Sequence, residues 1–493
     1  MAVELLEREA EERASGGEVP IELWLRVFDQ AMVGGLGEKA AAALARLRAA
    51  RPSERERVEV SLREARGLAA RGEADGARSL CRGAREEARG LGMAAVEVEL
   101  TLVEADVESR YGDANAGAAL YAGAAEQARA LGDAALEARA HLGASVVAMY
   151  LGKNAGVHDH ALAALVAAQR SGDPVLTSES QRALGNAHRE RGELVDSLRC
   201  YENAVRTARA SGAIENEAKA LNNFGVDATR LGRLSDAIEA CRRAIRLKER
   251  LGAEASADVT RNNLAYLLGA IGEHEEAGAL LDAVIARATG NAGELIARAN
   301  LAELAVQEGR VDEGVAALEA ADAISEQRGL TQFRGQLGAA LARALTMRGA
   351  AADLARAASI LAAMASYADQ APTEQGRYAV AEALLWDRRG EHERAEACAR
   401  HAVSHGLRGA YLFGCLGSRL EAIWVHAVAL GRLGRTAEAG EQGSKALLTL
   451  TWLGASLDGE AARRRMLDAS ALHRTIRAAR LDVPVGHSWH PEA

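Results

Sequence analysis

Glycine recurs along this chain at a near-constant interval of 40 residues. Its first series comprises Gly72, Gly112, Gly152, Gly192, Gly232, Gly272, Gly309, Gly349, Gly390 and Gly434. A second series, which follows the first by about 20 residues, comprises Gly92, Gly132, Gly172, Gly212, Gly252, Gly290 and Gly329. Because glycine readily adopts the left-handed backbone conformation of tight turns, two turns per interval predict two helices per interval. A sustained period of this length indicates an array of helical hairpins.

Side chains of matched size recur on either side of the first-series turns. Small residues lie five positions after the turn, as Ala77, Gly117, Ser197, Ala237, Ala277, Gly314, Ala395 and Ala439, and seven before it, as Gly185, Gly225, Ala265, Ala302 and Ala342. Bulky apolar residues lie eight before it, as Leu184, Phe224, Leu264, Leu301 and Leu341. This pattern predicts two helices that pack closely within each pair. Pro20, Pro52, Pro174 and Pro372 lie where the first helix of a pair should begin, a position that tolerates proline.

Composition excludes several classes of protein. The 493 residues carry a net charge of −9, which argues against a nucleic-acid partner. No apolar run approaches the roughly 20 residues of a membrane span, and the acidic start "MAVELLEREAEERASGG" does not resemble a signal peptide. The five cysteines are scattered without CxxC spacing, which favours neither a disulfide framework nor a zinc site. We therefore expect a soluble cytoplasmic protein without a metal or cofactor, and the Ala, Arg and Gly bias indicates a GC-rich bacterial source.

Two stretches carry a family resemblance. The segments "ALGNAHRERGELVDSLRCYENAV" (183–205) and "NNFGVDATRLGRLSDAIEACRRAI" (222–245) resemble tetratricopeptide repeats. The 40-residue spacing is similar to the variant in kinesin light chains, Leu-Gly-Asn-repeat adaptors and bacterial regulatory arrays. The resemblance covers about residues 19–455 and is strongest over 175–320.

The resemblance implies an all-α, right-handed superhelical solenoid of about ten to eleven helix-turn-helix repeats, whose first helices line a concave surface. Residues 1–18 are expected to form an N-terminal segment or capping helix. A C-terminal capping helix is expected over 456–481, and a disordered tail over 482–493.

Asparagines recur on the first helices of three successive repeats. Asn223, Asn263 and Asn300 lie nine residues before their turn glycines, and Asn222 and Asn262 lie ten before. Asparagine is unfavourable in a helix interior, but its amide can hydrogen-bond the backbone of an extended peptide. We predict that this ladder faces the inner surface and binds a peptide. The alternative is that the asparagines hydrogen-bond neighbouring repeats.

Further residues on the same face join this predicted site. In the carboxylate-clamp subgroup of the family, an Asn at the ladder position is joined by a basic residue and an Asn from the preceding first helix, here Arg182 and Asn186. The clamp is incomplete, because Val259 and Asn263 replace its two later basic residues. Lys219 and Arg230 would partly compensate by attracting an acidic ligand.

An aromatic cluster departs from the regular pattern. The stretch between Gly390 and Gly434 is 44 residues long and contains Tyr411, Phe413 and Trp424. These rings would form a second docking surface, since aromatic side chains are enriched at interface hot spots. The alternative is that they fill a gap in a degenerate repeat.

The histidine and cysteine groups favour structural roles over a metal site. Cys398, His401 and His405 share one helix face, where a buried inert thiol is commoner than a metal site. His158 and His160 are two residues apart, face different ways and are expected to be solvated.

The sequence contains no phosphate-binding loop, no nucleophile elbow and no HExxH motif, so it carries no catalytic signature. We therefore predict a non-enzymatic adaptor that binds a peptide segment of a partner protein in the groove of residues 182–303, with Tyr266 and Lys219 tuning side-chain preference. The alternative is a sensor array that binds a short signalling peptide or controls a kinase or transcription regulator in trans.

Overall fold

A computed structural model describes residues 2–14, 21–33, 37–50, 52–152, 154–287, 292–330, 333–370, 372–405 and 415–479. These described residues form 25 α-helices and no β-strand. The chain divides into two compact units, unit 1 (Met1–Ala220) and unit 2 (Leu221–Ala493), and the division falls within α12 (Ile214–Arg230).

Unit 1 begins with three helices that share a core and continues as helix pairs. Its helices are α1 (Ala2–Ala14), α2 (Ile21–Val33), α3 (Gly37–Ala49), α4 (Glu54–Ala70), α5 (Ala74–Gly90), α6 (Ala94–Tyr111), α7 (Ala114–Leu131), α8 (Ala134–Tyr150), α9 (Asn154–Ser171), α10 (Pro174–Glu190) and α11 (Leu194–Ser211). The core shared by α1, α2 and α3 includes Trp24, Phe28 and Leu47. From α4 to α23, even-numbered helices are the first helix of each repeat and odd-numbered helices the second.

Unit 2 continues the pairs and ends in two short helices. Its helices are α13 (Leu234–Arg250), α14 (Glu254–Ala270), α15 (His274–Ala286), α16 (Ala292–Gln307), α17 (Val311–Gln327), α18 (Arg334–Arg348), α19 (Ala351–Gln370), α20 (Pro372–Arg388), α21 (His392–His405), α22 (Cys415–Arg432), α23 (Thr436–Ala455), α24 (Glu460–Leu467) and α25 (Ala471–Ala478).

The C-terminal cap differs from its prediction. The sequence suggested one helix, whereas α24 ends at Leu467 and α25 begins at Ala471. The Ser470 side chain accepts a hydrogen bond from the backbone N–H of His473 and so starts a new helix. The predicted tail of 482–493 lies outside the described residues.

The turn glycines have the predicted conformation. Fifteen of the seventeen glycines in the two series have positive φ, from 65° at Gly92 to 87° at Gly309. Gly112 is the exception at φ −132°, and Gly290 lies outside the described residues. Glycine adopts positive φ without the steric cost that a Cβ would bring, which explains why it recurs at these turns.

Small residues meet where the two helices of a repeat approach. The Ser197 hydroxyl donates to the carbonyl oxygen of Gly185 at 2.7 Å. A Cβ on Gly225 would lie 2.6 Å from the sulfur of Cys241. A larger side chain would separate the helices there, so these positions couple the sequence pattern to pair packing.

Ion pairs link the end of one repeat to the start of the next. Glu137 is almost buried and pairs with Arg129 at 2.9 Å and also with Arg170. Similar pairs join Arg89 to Glu97 at 2.6 Å in unit 1. Because Glu137 is shielded from water, salt screens this pair less than an exposed one.

First helices contact the first helix of the next repeat, as in α6 with α8 and α8 with α10 in unit 1, and α14 with α16 in unit 2. Within each unit the first helices therefore form one layer, which we call its inner face. The fold is an all-α helical repeat array, as predicted. No helix in the described residues is both long and apolar enough to cross a membrane.

Candidate functional site

The inner face of unit 1 contains an open groove of about 360 Å³. Three successive first helices, α6, α8 and α10, supply most of its lining. The lining residues are Asp106, Ser109, Arg110, Tyr121, Leu142, Gly143, Ser145, Val146, Val147, Met149, Tyr150, Val157, Glu179, Arg182, Ala183 and Asn186.

Apolar side chains of α8 face solvent in this groove. Tyr150 is 69% exposed, Val146 46% and Met149 36%. Three large apolar side chains on one stretch of helix form an uncovered surface, and such clustering marks an interaction site more often than isolated exposed residues do.

Polar side chains on the neighbouring helices flank the apolar surface. Asp106 and Arg110 are exposed on α6. Arg182 lies on α10, where its guanidinium is 3.7 Å from the Glu179 carboxylate, too far for a hydrogen bond. The groove therefore offers charges of both signs around an apolar centre.

Two tyrosines from second helices hold polar groups at the groove. The buried Tyr121 hydroxyl donates to the Asp106 carboxylate, and the fully buried Tyr201 hydroxyl donates to Asn186 Oδ1 at 2.7 Å. Burial, followed by the nearby Asp106 charge, raises the pKa of Tyr121, so its phenol stays protonated and able to donate. Asp106 and Asn186 are thus held in place from behind.

Glycines make room for these rings. A Cβ on Gly143 would lie 2.1 Å from the Tyr121 ring, and one on Gly185 would lie 2.5 Å from the Tyr201 ring. The ring positions, and with them the two polar groups, depend on these residues having no side chain.

The predicted site residues of unit 1 have different settings. Arg182 and Asn186 lie one turn apart on α10 and both line the groove. Lys219 is 45% exposed on α12 and pairs with Glu215 at 2.6 Å. The structure therefore brings two of these three residues into one groove.

In unit 2, the asparagines that motivated the ladder bond to each other and to the adjacent repeat. Asn222 Oδ1 accepts hydrogen bonds from Thr260 Oγ1 at 2.8 Å and from Asn263 Nδ2 at 3.1 Å. Asn222 Nδ2 donates to Asn223 Oδ1 at 3.3 Å. These bonds join α12 to α14 and favour the structural alternative for Asn222.

A buried lysine extends this network. Lys248 is 5% exposed, and its Nζ donates to Thr260 Oγ1 at 2.7 Å and to the Ser256 carbonyl oxygen at 2.9 Å. Thr260 thus accepts from Lys248 and donates to Asn222, so a chain of polar contacts runs from α13 through α14 to α12. Removing one member leaves buried partners without hydrogen bonds.

Two further rungs of the ladder are buried. Asn262 is 4% exposed and its Nδ2 donates to the Gly293 carbonyl oxygen at 3.1 Å. Asn300 is 5% exposed, and its Nδ2 has no hydrogen-bond partner among the described residues. The prediction that these two face an open inner surface does not match their burial.

Arg230 is also internal. Its side chain is 6% exposed and lies 3.9 Å from the carboxylate of the fully buried Asp227. The predicted role of attracting an acidic ligand from solvent does not fit this position, since the guanidinium faces an internal acid.

The inner face of unit 2 is occupied by the end of the chain. We call residues 452–478 the C-terminal cover. Tyr266 of α14 and Arg343 of α18 line a cavity of about 110 Å³ whose other side is formed by Met466 and residues 470–473 of this cover. Across the same cavity Arg343 pairs with Glu421 of α22 at 2.9 Å. Tyr266 therefore faces the cover across this cavity.

Direct contacts attach the cover to the turns of unit 2. The Leu234 backbone N–H donates to Ser456 Oγ at 3.4 Å, and the Asp458 N–H donates to Ser235 Oγ at 2.9 Å. Arg465 pairs with Glu273 at 2.5 Å. The two hydrogen bonds join residues 222 and 223 positions apart in the chain, and the ion pair joins residue 273 to residue 465.

The aromatic cluster and Cys398, both predicted from the sequence, have different settings in the structure. Tyr411 and Phe413 lie outside the described residues, and Trp424 is half-buried on α22. The Cys398 thiol donates to Glu382 at 3.7 Å, and burial together with that carboxylate raises its pKa to about 12. A protonated thiol is a poor metal ligand, which agrees with the inert interpretation.

His158 and His160 are not solvated, contrary to expectation. His160 Nδ1 lies 3.3 Å from His141 Nδ1 on α8, and the His158 ring lies 5.3 Å from the His188 ring on α10. The two residues do face different ways, but α8 and α10 pack on both sides of the face that carries them.

Sequence reasoning missed the groove of unit 1. The sequence feature that could have revealed the groove is the group of Val146, Met149 and Tyr150 on one stretch of a first helix, in a chain otherwise poor in aromatic residues. This stretch has no asparagine, so the ladder pattern does not extend to it.

Comparison with known proteins identifies the repeat. Residues 176–250, which span α10 to α13, match the family described as tetratricopeptide repeat. No curated protein matches the chain.

Several solved structures are similar in fold. The apo quorum sensor NprR from B. thuringiensis is 13% identical with a TM-score of 0.50, over 72% of this chain and 98% of that one. A signal transduction ATPase with a tetratricopeptide repeat sensor from Pyrococcus horikoshii is 15% identical with a TM-score of 0.49, over 65% and 52%. A Rap protein complexed with Competence and Sporulation Factor is 13% identical with a TM-score of 0.43, over 82% and 99%.

Proposed function

Because the chain is a helical repeat protein of the tetratricopeptide type, we propose that it is a non-enzymatic adaptor that binds a peptide segment of a partner protein on the inner face of unit 1. The single observation that carries this proposal is the uncovered apolar surface of Val146, Met149 and Tyr150 inside a groove with charged margins. Helical repeat proteins use extended inner surfaces of this kind for binding.

The chemistry of the groove defines the peptide. Apolar side chains of the ligand would pack on Val146, Met149 and Tyr150, because burying that surface is favourable by about 25 cal/mol per Å². Arg110 and Arg182 would attract an acidic side chain or a terminal carboxylate on either side of this contact. We therefore propose an extended segment in which an aromatic or aliphatic residue is flanked by a carboxylate.

The asparagine ladder has a smaller place in this proposal. Asn222, Asn262 and Asn300 have structural surroundings, whereas Asn186 lines the groove and is positioned by Tyr201. We propose Asn186 as the ladder-like amide that hydrogen-bonds the peptide backbone, with Lys219 as an outlying basic residue.

The alternative function, sensing a short signalling peptide, would use the same chemistry in the same groove. The fold similarity to a quorum sensor at 13% identity concerns fold alone. The two functions differ in the form of the ligand. An adaptor binds a segment that is part of a folded partner protein, whereas a sensor binds a free peptide.

A matched pair of substitutions tests the proposal. Val146→Asp places a charge at the apolar centre of the groove, while Val195→Asp places the same charge at a 60% exposed valine of α11 that does not line the groove. Peptides selected from a random display library on the full chain should lose at least tenfold in affinity with Val146→Asp, equivalent to about 1.4 kcal/mol.

Val195→Asp should leave that affinity unchanged, and both variants should melt like the parent because each site is exposed. A library that yields no binder, or binders that ignore Val146→Asp, would remove the groove from consideration.

A further inference from the structure

Two neighbouring repeats of unit 1 place histidines against each other. His188 lies four residues before the turn glycine Gly192, and His158 lies six residues after the turn glycine Gly152. Their rings are 5.3 Å apart in an edge-to-face arrangement, and the side chains are 16% and 19% exposed. Both imidazoles are therefore held at a mostly buried contact between α9 and α10.

The same two register positions have a different content elsewhere. In the repeats of Gly72 and Gly112 they hold Arg78 and Glu108, which form an ion pair at 2.8 Å. At the position four before the turn, most other repeats carry an apolar residue, as Leu68, Ala148, Ala228, Leu268, Ala305, Leu345, Trp386 and Leu430. A pair of imidazoles cannot neutralise each other as Arg78 and Glu108 do, so the two histidines call for a third group.

The carboxylates of Glu193 and Asp196 lie close to His188. His188 Nδ1 lies 2.6 Å from Glu193 Oε2. Ligand atoms of His188, Glu193 and Asp196 all lie within 4.8 Å of one another. Three potential metal ligands, His188, Glu193 and Asp196, thus converge at one turn, and the His158 ring lies beside that of His188.

The backbone fixes this arrangement. The Glu193 N–H donates to the His188 carbonyl oxygen at 2.9 Å, across the turn made by Gly192 at φ 77°. The Ser197 N–H donates to the Glu193 carbonyl oxygen at 2.9 Å, so Glu193 is the N-cap of α11 and Asp196 lies in its first turn. His188 and Glu193 therefore need only small side-chain movements to bind the same metal ion.

We propose that His188, Glu193 and Asp196 bind one divalent transition-metal ion of the zinc class, with the adjacent His158 turning towards it as the fourth ligand. Imidazole nitrogen and carboxylate oxygen both bind zinc at about 2.0–2.2 Å, which puts tetrahedral donors about 3.3 Å apart. The 2.6 Å separation of His188 and Glu193 would widen slightly as the metal replaces their shared proton. Mg²⁺ and Ca²⁺ are disfavoured because they prefer all-oxygen sites.

The bound ion would join α9, α10 and α11. It ties the Gly152 repeat to the Gly192 repeat at the end of the helix that carries Arg182 and Asn186. The ion competes with Arg199, which pairs with Asp196 at 2.7 Å on the exposed side. An ion that binds only the folded chain raises its stability in proportion to the logarithm of its concentration.

The test uses chelator-treated full-length protein and Zn²⁺ alone. Competition with a chromophoric chelator should show a single site whose affinity falls at least about tenfold in His188→Ala and in Glu193→Gln. Glu193→Gln keeps a hydrogen-bonding side chain but removes the charge, and its exposed position leaves folding intact. At equal Zn²⁺ concentration the melting temperature should rise less for Glu193→Gln than for the parent.

Two controls separate this site from other histidines. His160→Gln alters the neighbouring histidine that contacts His141 and should bind Zn²⁺ like the parent. The double variant His487→Ala, His490→Ala removes the histidines near the end of the sequence and should also bind normally. Absence of Zn²⁺ binding, or binding that survives both His188→Ala and Glu193→Gln, would overturn the proposal.

Discussion

Unit 1 and unit 2 are built from the same helix pairs, but the inner faces of those pairs differ. On unit 1 the side chains of Val146, Met149 and Tyr150 face solvent. On unit 2 the corresponding layer, with Tyr266 and Arg343, meets Met466 and the start of α25. The repeat alone therefore does not define a binding surface. What the remainder of the chain places on that surface decides whether it is open.

The exposed apolar side chains follow the same division. Among the described residues, those of unit 1 are Leu5, Tyr111, Leu131, Val146, Met149, Tyr150, Leu162, Val166, Val175 and Val195, and those of unit 2 are Leu251 and Val259. Covering apolar surface with chain segments stabilises a unit, and leaving it uncovered makes it available to a partner.

The largest expected effect comes from disturbing the cover. A Cβ on Gly232 would lie 2.1 Å from the Trp452 ring, at φ 69°. Gly232→Ala should therefore cost about 1–2 kcal/mol for the left-handed backbone and a further 1–3 kcal/mol or so for overpacking. Chemical denaturation of the full chain measures the loss.

Gly252→Ala is the matched control, because Gly252 has φ 67° and nothing within 4 Å of its Cβ position. It should lose only the backbone contribution. Equal losses in the two variants would mean that Trp452 does not rest on this turn in solution.

The polar network of unit 2 should have an intermediate effect. Asn222→Ala removes the acceptor used by Thr260 and Asn263. Leaving buried donors unpaired should cost about 1–3 kcal/mol of unfolding free energy. Asn115→Ala, at an exposed position on α7, should change stability by less than about 0.5 kcal/mol. If Asn222→Ala is as mild as this control, the network contributes little and the ligand interpretation of Asn222 regains weight.

Acidification should loosen the cover by a smaller amount. Burial, with some repulsion from Arg474, lowers the pKa of His473 below 6.5, and its Nδ1 contacts the Met466 carbonyl oxygen at 2.7 Å. The folded state then binds fewer protons than the unfolded state, so stability is complete above pH 6.5 and falls as pH drops through the folded pKa.

Hydrogen exchange over 456–478, corrected for intrinsic rates, should increase between pH 7.5 and pH 5.5. His473→Gln should remove much of this increase, because glutamine can still donate to Met466 but does not titrate. An unchanged pH response in His473→Gln would assign the effect to other groups.

The smallest stability effect is expected at Lys219. Its pair with Glu215 is 45% exposed on both sides, and exposed pairs contribute about 0–1 kcal/mol. Lys219→Met should therefore unfold like the parent. A clear loss of affinity for an acidic peptide in this stable variant would support a binding role for Lys219, and unchanged affinity would remove it from the proposed site.

Local features of the fold were predictable from the sequence because they repeat. The turn at Gly232, the close approach of Ser197 and Gly185, and the helix start at Pro174 each follow from one or two residues in a fixed register. Every repeat contributes the same signal, so the period is visible even where single positions vary.

The cover was not predictable in this way. Trp452 meets Gly232 and Ser456 meets Leu234 over more than 200 residues, and no period connects these positions. The burial of Asn300 likewise depends on how closely neighbouring first helices approach. His188 was visible as a departure from the apolar residues of its register position, but its partner His158 becomes apparent only when repeats are compared across a helix pair.

A single experiment can decide whether the inner face of unit 1 is the open binding surface while that of unit 2 is filled. It is hydrogen exchange of the full chain with and without a peptide selected by display. New protection is expected in α6, α8 and α10, with residues 456–478 unchanged. Protection in α14, α16 and α18, together with faster exchange over 456–478, would show that the peptide displaces the cover and would contradict it.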